Sequence, residues 1–433
     1  MNESKLKSSV ILRMVIVAAL TLLLLIPTVF VGSLVSERSS RRASATLEVS
    51  KSWGSAQTLI GPILSIPFKE VSKDKKGAGS FSIRYAHFLP KNLLIKGSLK
   101  PEIRYRGIYK VPLYNSHFVI EGQFSAPDLN KLRISADNVL WDDAFITFGI
   151  TDLKGVRDTV NLQWNATRYR SEPGVLSDEL LAAGLTFKPR LEKAQGLYAF
   201  SFPLSLNGSS EIRFVPVGEV TEVVLDSPWG NPSFVGSFLP HTHSITDDNF
   251  HAEWKILNVN RNFPQAWIEG RYKVVESSFG ASLYLAVDQY QKTDRSVKYA
   301  LLFIALTFVS FFLSEIIAKT VFHPIQYTLV GFALILFYVL LLSLSEHIGF
   351  NLAYLIGSAG IVFLITVYAF WMSANRTITL VIFLVLVALY SFLFVTLQLQ
   401  DYALLLGSVG LFVVLFIVMY LTRNIDWFSI NRS

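Results

Sequence analysis

Three histidines lie within a short stretch of this chain: His241, His243 and His251. Imidazole is the commonest metal ligand, but a zinc site needs three or four donors converging on one point. Asp247, Asp248 and Glu253 are close enough in sequence to complete such a set. A metal-bound water there would make a hydrolase. The order H-x-H-x7-H matches no established ligand pattern, however, and polar loops collect such residues by chance. No metal or other cofactor is therefore assigned. Adjacent carboxylates (Asp142-Asp143, Asp178-Glu179, Asp247-Asp248) are no evidence for a catalytic pair, because neighbours on a strand point to opposite faces. The chain has no G-x-S-x-G, no P-loop and no H-E-x-x-H. With zero cysteines it also has no disulfide, no thiolate metal site and no cysteine nucleophile.

A second set of ionisable residues sits among apolar ones. Glu315 falls near the end of one greasy run, and Glu346-His347 fills a short polar break between two others. Ionisable groups at membrane depth are functional candidates by default. The plainer reading of Glu315 is a residue within a turn of the water boundary, with Lys319 as its i,i+4 partner. The plainer reading of Glu346 and His347 is a pair at helix ends among lipid headgroups. Gly349, Ala353 and Gly357 recur every four residues, which places small side chains on one helix face for close packing.

The elements that position these residues follow from an uneven charge distribution. The whole chain is 52% apolar and 16% charged, with mean hydropathy +0.43. Residues 36–298 hold 32 of the 39 Lys+Arg and 27 of the 32 Asp+Glu. That block is about as charged as a soluble domain. The apolar run Met14–Val35 is long enough to cross about 30 Å of hydrocarbon. It exceeds a signal-peptide core and lacks a good cleavage site, so it reads as an uncleaved anchor, kinked at Pro27. Five further spans are expected at Tyr299–Ala318, Ile325–Leu344, Ile348–Met372, Ile378–Leu397 and Tyr402–Leu421. Pro324 suits the first turn of the helix it opens.

Between the greasy parts the sequence alternates with period two. Phe81–Phe88, Glu102–Tyr109, Phe118–Phe124, Phe145–Phe148, Thr159–Trp164 and Ala281–Leu285 read as strands. Asn207-Gly208 reads as a hairpin turn, and Pro203 as the mark of an edge or a bulge. Helices are expected from Glu37 to about Leu59 and over Val287–Val297. The fold class is thus an α+β membrane protein with a large, mostly β, sandwich-like domain. Its expected divisions are 1–36, a tail and first span; 37–298, the β-rich domain; 299–421, five spans; and 422–433, a tail.

Lys319, Arg376, Arg423 and Arg432 flank one side of the spans, whereas the opposite loops carry Glu346 and Asp401. The positive-inside rule then puts both termini in the cytoplasm and the β domain outside. Arg38, Arg41 and Arg42 oppose this reading and are outweighed by the repeated C-terminal alternation. Nucleic acid is no partner for such an exported domain; the bilayer is one, and a protein, lipid or cell-wall ligand suits the β domain. The oligomeric state is not legible.

Several segments resemble a known family. They are Gly61–Pro67, Arg106–Tyr114, Asp226–Pro240, Leu257–Trp267, His323–Tyr327 and Leu340–Phe350. In this order they resemble the CreD family of bacterial inner-membrane proteins, also called cell envelope integrity proteins. The resemblance implies a Gram-negative inner membrane, a periplasmic domain and a role in envelope integrity under a two-component system. It supplies no catalytic residue. Three functions are therefore expected in order: a non-enzymatic envelope protein, a transporter or channel for a lipid or small solute, and a metal-dependent hydrolase.

Overall fold

The computed structural model describes residues 10–73, 79–176, 182–191, 196–270, 272–283, 289–318, 322–399 and 402–423. It divides into two units, Ala43–Ala286 on one hand and Met1–Arg42 with Val287–Ser433 on the other.

The first unit is built from two sheets. One contains nine strands and runs Pro232–Gly236, Phe279–Leu283, Glu211–Phe214, Gln57–Lys73, Phe145–Ile150, Gly184–Phe187, Glu172–Pro173, with Gly79–Phe88 and Ala266–Ile268 branching from Gln57–Lys73. The other contains eight strands and runs Thr242–Ile245, Phe250–Leu257, Val220–Ser227, Asn92–Arg106, Tyr109–Ser125, Leu197–Ser209, Asn161–Trp164, Thr167–Arg170. Two pairings are parallel, Gln57–Leu59 with Ile212–Phe214 and Val220–Asp226 with Asn92–Ser98. Strands of the second sheet alternate buried and exposed, as in Val220–Ser227, so one face is dry and the other wet. Aromatic rings close the space between the sheets. Phe148 meets Phe202 at 5.0 Å, Phe118 meets Phe214 at 5.6 Å, and Trp254 meets Phe279 at 5.6 Å. These edge-on and tilted contacts pack a core that holds no disulfide.

Three strand expectations are corrected. Glu102–Tyr109 is not one strand: Arg106 pairs with Tyr109 across a two-residue turn at Gly107-Ile108, where Gly107 has φ 60. Asn207-Gly208 is not a hairpin turn. The strand runs through it to Ser209, and Gly208 is required because a Cβ would lie 2.2 Å from the Tyr114 hydroxyl. The chain turns at Ser210 instead and enters the other sheet. The edge or bulge expected at Pro203 is not found: its strand lies between Tyr109–Ser125 and Asn161–Trp164, and Pro203 pairs with Val119 in an unbroken register. On the other side the ladder with Asn161–Trp164 covers Phe200 and Ser201 and contact resumes at Ser205 and Leu206, so the missing N–H of Pro203 falls in the gap between them.

The second unit is helical: α1 Val10–Leu23, α2 Leu25–Trp53 (as far as Arg42), α3 Gln289–Lys298, α4 Ala300–Ala318, α5 Pro324–Ile348, α6 Phe350–Ser373, α7 Arg376–Gln398 and α8 Ala403–Thr422. The break at Leu24 is where Pro27 removes a donor from the ladder, yet the hydrogen bonds from Leu24 to Leu20 and from Thr28 to Leu24 carry the helix on. Of the six expected spans, four helices among the described residues are long and apolar enough to cross a membrane: Leu12–Trp53, Pro324–Ile348, Phe350–Ser373 and Arg376–Gln398. A fifth is a broken pair, Gln289–Lys298 and Ala300–Ile316, bent by 46° where a polar helix gives way to an apolar one. The last apolar stretch, Leu405–Tyr420, is shorter. Pro324 takes the first turn of α5 as expected. The His323 ring caps Ile325 N–H, while the Gln326 side chain accepts from His323 N–H at 2.7 Å.

Candidate functional site

The ionisable residues of the helical unit gather at two places. Arg13 of α1 donates from Nη1 to Glu315 Oε1 at 2.6 Å, and Tyr327 Oη donates to Glu315 Oε2 at 2.9 Å. The Glu315 side chain is 2% exposed and that of Arg13 is 23% exposed. Phe308, Phe311 and Phe322 surround the Tyr327 ring, so three helix termini meet around one carboxylate. Burial of this kind is tolerable only because both carboxylate oxygens have donors. The expected partner Lys319 lies outside the described residues; the partner observed is Arg13.

At the second place Glu346 accepts from Tyr290 Oη at 3.0 Å and has Arg38 Nε at 4.0 Å. Arg13 and Arg38 lie on the same 42-residue helix, Leu12–Trp53, 25 positions apart in sequence. At 1.5 Å per residue the two clamps are about 37 Å apart. That interval slightly exceeds the ~30 Å hydrocarbon thickness. Each clamp thus sits where an apolar interval ends, and each joins the N-terminal helix to the C-terminal helices.

His347 is exposed and meets no carboxylate among the described residues. The small-residue stripe resolves into two roles. Ala353 is fully buried, and a Cβ on Gly357 would lie 3.6 Å from Phe337 of α5, so these two let α5 and α6 approach. Gly349 instead makes the turn between those helices, at φ 79 and ψ 163, a region reserved for glycine. Sequence reading missed the tyrosines that complete both clamps. It also missed a hydrogen-bonded chain from Lys292 Nζ to Gln398 Oε1 (2.8 Å) and from Gln398 Nε2 to Asn351 Oδ1 (2.8 Å).

In the β unit the three histidines do not converge. Ser244 pairs with His251 and His243 with Ala252, so His243 and His251 point to opposite faces. The His243 ring lies 5.5 Å from Phe234, and His241 precedes the strand, its N–H bonded to the Glu253 carbonyl. His251 Nδ1 lies 2.7 Å from Asp226 Oδ1 and its Nε2 lies 3.1 Å from Glu253 Oε1. The hydrogen bond to Asp226, then that to Glu253, raises its pKa. With both ring nitrogens held by carboxylates, neither is turned toward a metal. Among the described residues no three His, Asp or Glu groups are placed to hold an ion. His251, Asp226, Ser244 and Lys100 line a shallow groove of about 530 Å³ on the solvent face of the second sheet. Asp142-Asp143 lies in a short turn, and Asp178-Glu179 is outside the described residues.

The motif segments fix turns. The buried Arg261 guanidinium donates to the carbonyls of Phe263 (2.5 Å), Val217 (3.3 Å) and Gly218 (3.4 Å). Burial lowers its pKa to about 10. A Cβ on Gly230 would lie 1.7 Å from the Asp247 carbonyl oxygen, so only glycine fits that approach. Arg104 stacks 4.1 Å over the Trp53 ring and Arg106 meets Glu48 at 2.5 Å. These two arginines therefore hold the last turns of α2 in the β unit.

A family model described as "Inner membrane protein CreD" matches residues 9–428. The chain belongs to the CreD family. The CreD relative from Escherichia coli (strain K12), "Inner membrane protein CreD", is 32% identical, over 98% of this chain and 95% of its own length. The CreD match covers both units and every residue of the two clamps. It makes this an inner-membrane protein and attaches no catalytic activity to it.

Proposed function

We propose that this CreD-family chain is a non-enzymatic protein that supports envelope integrity. In this reading it crosses the inner membrane six times, with both termini cytoplasmic. Its β unit is periplasmic and binds a protein, lipid or cell-wall component. The observation that carries the reading is the fate of the membrane carboxylates. Glu315 is taken up by Arg13 and Tyr327, and Glu346 by Tyr290 and Arg38. Groups satisfied in this way hold helices together and are not free to line a path. This speaks against a proton-coupled transporter.

The test is a clean chromosomal deletion scored for detergent, antibiotic and envelope-stress sensitivity. Increased sensitivity, restored by the intact chain, is the expected result. Unchanged sensitivity under all three challenges contradicts the proposal.

A further inference from the structure

Helices α6 and α7 leave an open groove of about 750 Å³ between them. Its walls are apolar: Leu355 and Phe363 from α6, Phe383, Phe394 and Val395 from α7. Several of these side chains are exposed, Phe363 at 71% and Leu355 at 64%, so the groove opens outward from the helical unit. It extends along α6 from Asn351 to Thr366, 15 positions. That is about 22 Å of helix. One leaflet of a ~30 Å hydrocarbon core is shorter than this.

The Asn351 end of the groove is polar and cationic. Asn351 accepts from Gln398, and Gln398 accepts from Lys292 of α3. An ammonium has three donors. Only one is used here, and among the described residues no carboxylate pairs with Lys292. Two described carboxylates of these helices are otherwise engaged: Asp294 with Lys298 at 2.7 Å, and Glu346 with Tyr290 at 3.0 Å. The aliphatic stem and charge of Lys292 lie over the Phe350 ring at 5.4 Å. Among the described residues, the end of the groove thus presents two ammonium donors without an acceptor beside an amide pair, above an apolar channel long enough for an acyl chain.

We infer that the α6–α7 groove holds one acyl chain of an anionic phospholipid, whose phosphate is bound by Lys292 with Gln398 and Asn351. The fit rests on charge complementarity at the end of the groove and on the apolar length behind it. A zwitterionic lipid offers the same chain and a weaker net charge. The inference is independent of the envelope function and of which side of the membrane the Glu346 clamp faces.

The test is native mass spectrometry of the intact chain released from mixed micelles. The micelles contain equal phosphatidylglycerol and phosphatidylethanolamine. The wild type retains phosphatidylglycerol over phosphatidylethanolamine by about fivefold, the worth of one lysine near an anionic headgroup. K292A brings that ratio to about one. A359W fills the groove from the exposed face of α6 and removes both adducts. K298A, whose lysine pairs with Asp294, keeps the wild-type ratio. Equal phosphatidylglycerol preference in wild type and K292A overturns the inference. So does displacement of the lipid by inorganic phosphate alone, or unchanged adducts in A359W. A dimer seen in the wild type and lost in A359W, with adducts unchanged, overturns it too and places a second copy in the groove.

Discussion

Replacing Glu315 by alanine lowers the thermal stability of the full chain by several degrees, and replacing Arg13 by alanine does nearly the same. Each substitution removes one side of the ion pair: Arg13 loses the Glu315 carboxylate, or the buried carboxylate loses the Arg13 guanidinium. Breaking a buried pair costs about 3–5 kcal/mol, and the exposure of Arg13 places this one near ~3 kcal/mol. The double variant R13A/E315A then costs little more than either single one, because the interaction is lost only once. The reversed pair R13E/E315R recovers a large part of the loss. A carboxylate that worked by carrying protons behaves otherwise: its replacement leaves the fold intact and abolishes function, and reversal rescues nothing. Replacing Glu346 has a smaller effect, about 1 kcal/mol, since Arg38 stands 4.0 Å away and is more than a third exposed. Unfolding midpoints in detergent, read for all five variants, measure the coupling directly.

The second large effect is a loss of stability in acid, located at His87. This residue is fully buried, with its Nδ1 2.8 Å from Ser65 Oγ and its ring 5.8 Å from that of Trp267. Burial lowers its pKa to about 4 from an ordinary 6.5. Between those two values the unfolded chain binds a proton that the folded chain refuses. The contribution of His87 is therefore fully present above pH 6.5 and is lost as the pH falls through the window to about 4. The full window corresponds to roughly 3 kcal/mol, and about 2 kcal/mol of it is gone at pH 5. H87Q keeps a polar partner for Ser65 and does not titrate. Its midpoint falls less between pH 7.5 and pH 5 than that of the wild type, by several degrees. Tryptophan fluorescence suits the measurement, because six of the eight tryptophans lie within Ala43–Ala286. Parallel loss in both proteins contradicts the assignment. His251 is opposite in sign, since its two carboxylates raise its pKa and their contribution fades as the pH rises through it.

Much of the architecture is legible in the sequence because it depends on local pattern. Aromatic and β-branched runs at Phe81–Phe88 and Phe145–Phe148 mark strands, and Pro324 announces the first turn of α5. What failed depends on distant partners. Asn207-Gly208 has the composition of a hairpin, but Gly208 is there to admit the Tyr114 ring from the neighbouring strand. Gly349 fits the small-residue stripe by spacing, yet its backbone makes a turn. His243 and His251 are near in sequence, and only strand register shows that they lie on opposite faces. Glu315 was visible as an anomaly, whereas its partner Arg13 lies 302 positions away and reads in sequence only as a flanking charge. A buried carboxylate asks for a cation, but only the fold says which one.

In the proposed topology the two clamps, about 37 Å apart along the helix, bracket the bilayer, with the Glu346 end and the β unit on its periplasmic side. The chain has no native cysteine, so single introduced ones report cleanly. Three exposed sites suffice: Lys131 in the β unit, His347 beside the outer clamp, and Thr377 at the start of α7. A membrane-impermeant maleimide is applied to cells whose inner membrane is intact. The account predicts labelling of K131C and H347C, with T377C labelled only after that membrane is opened. Labelling of T377C in intact cells with K131C protected inverts the orientation. Equal labelling of H347C and T377C denies that the interval spans the membrane at all.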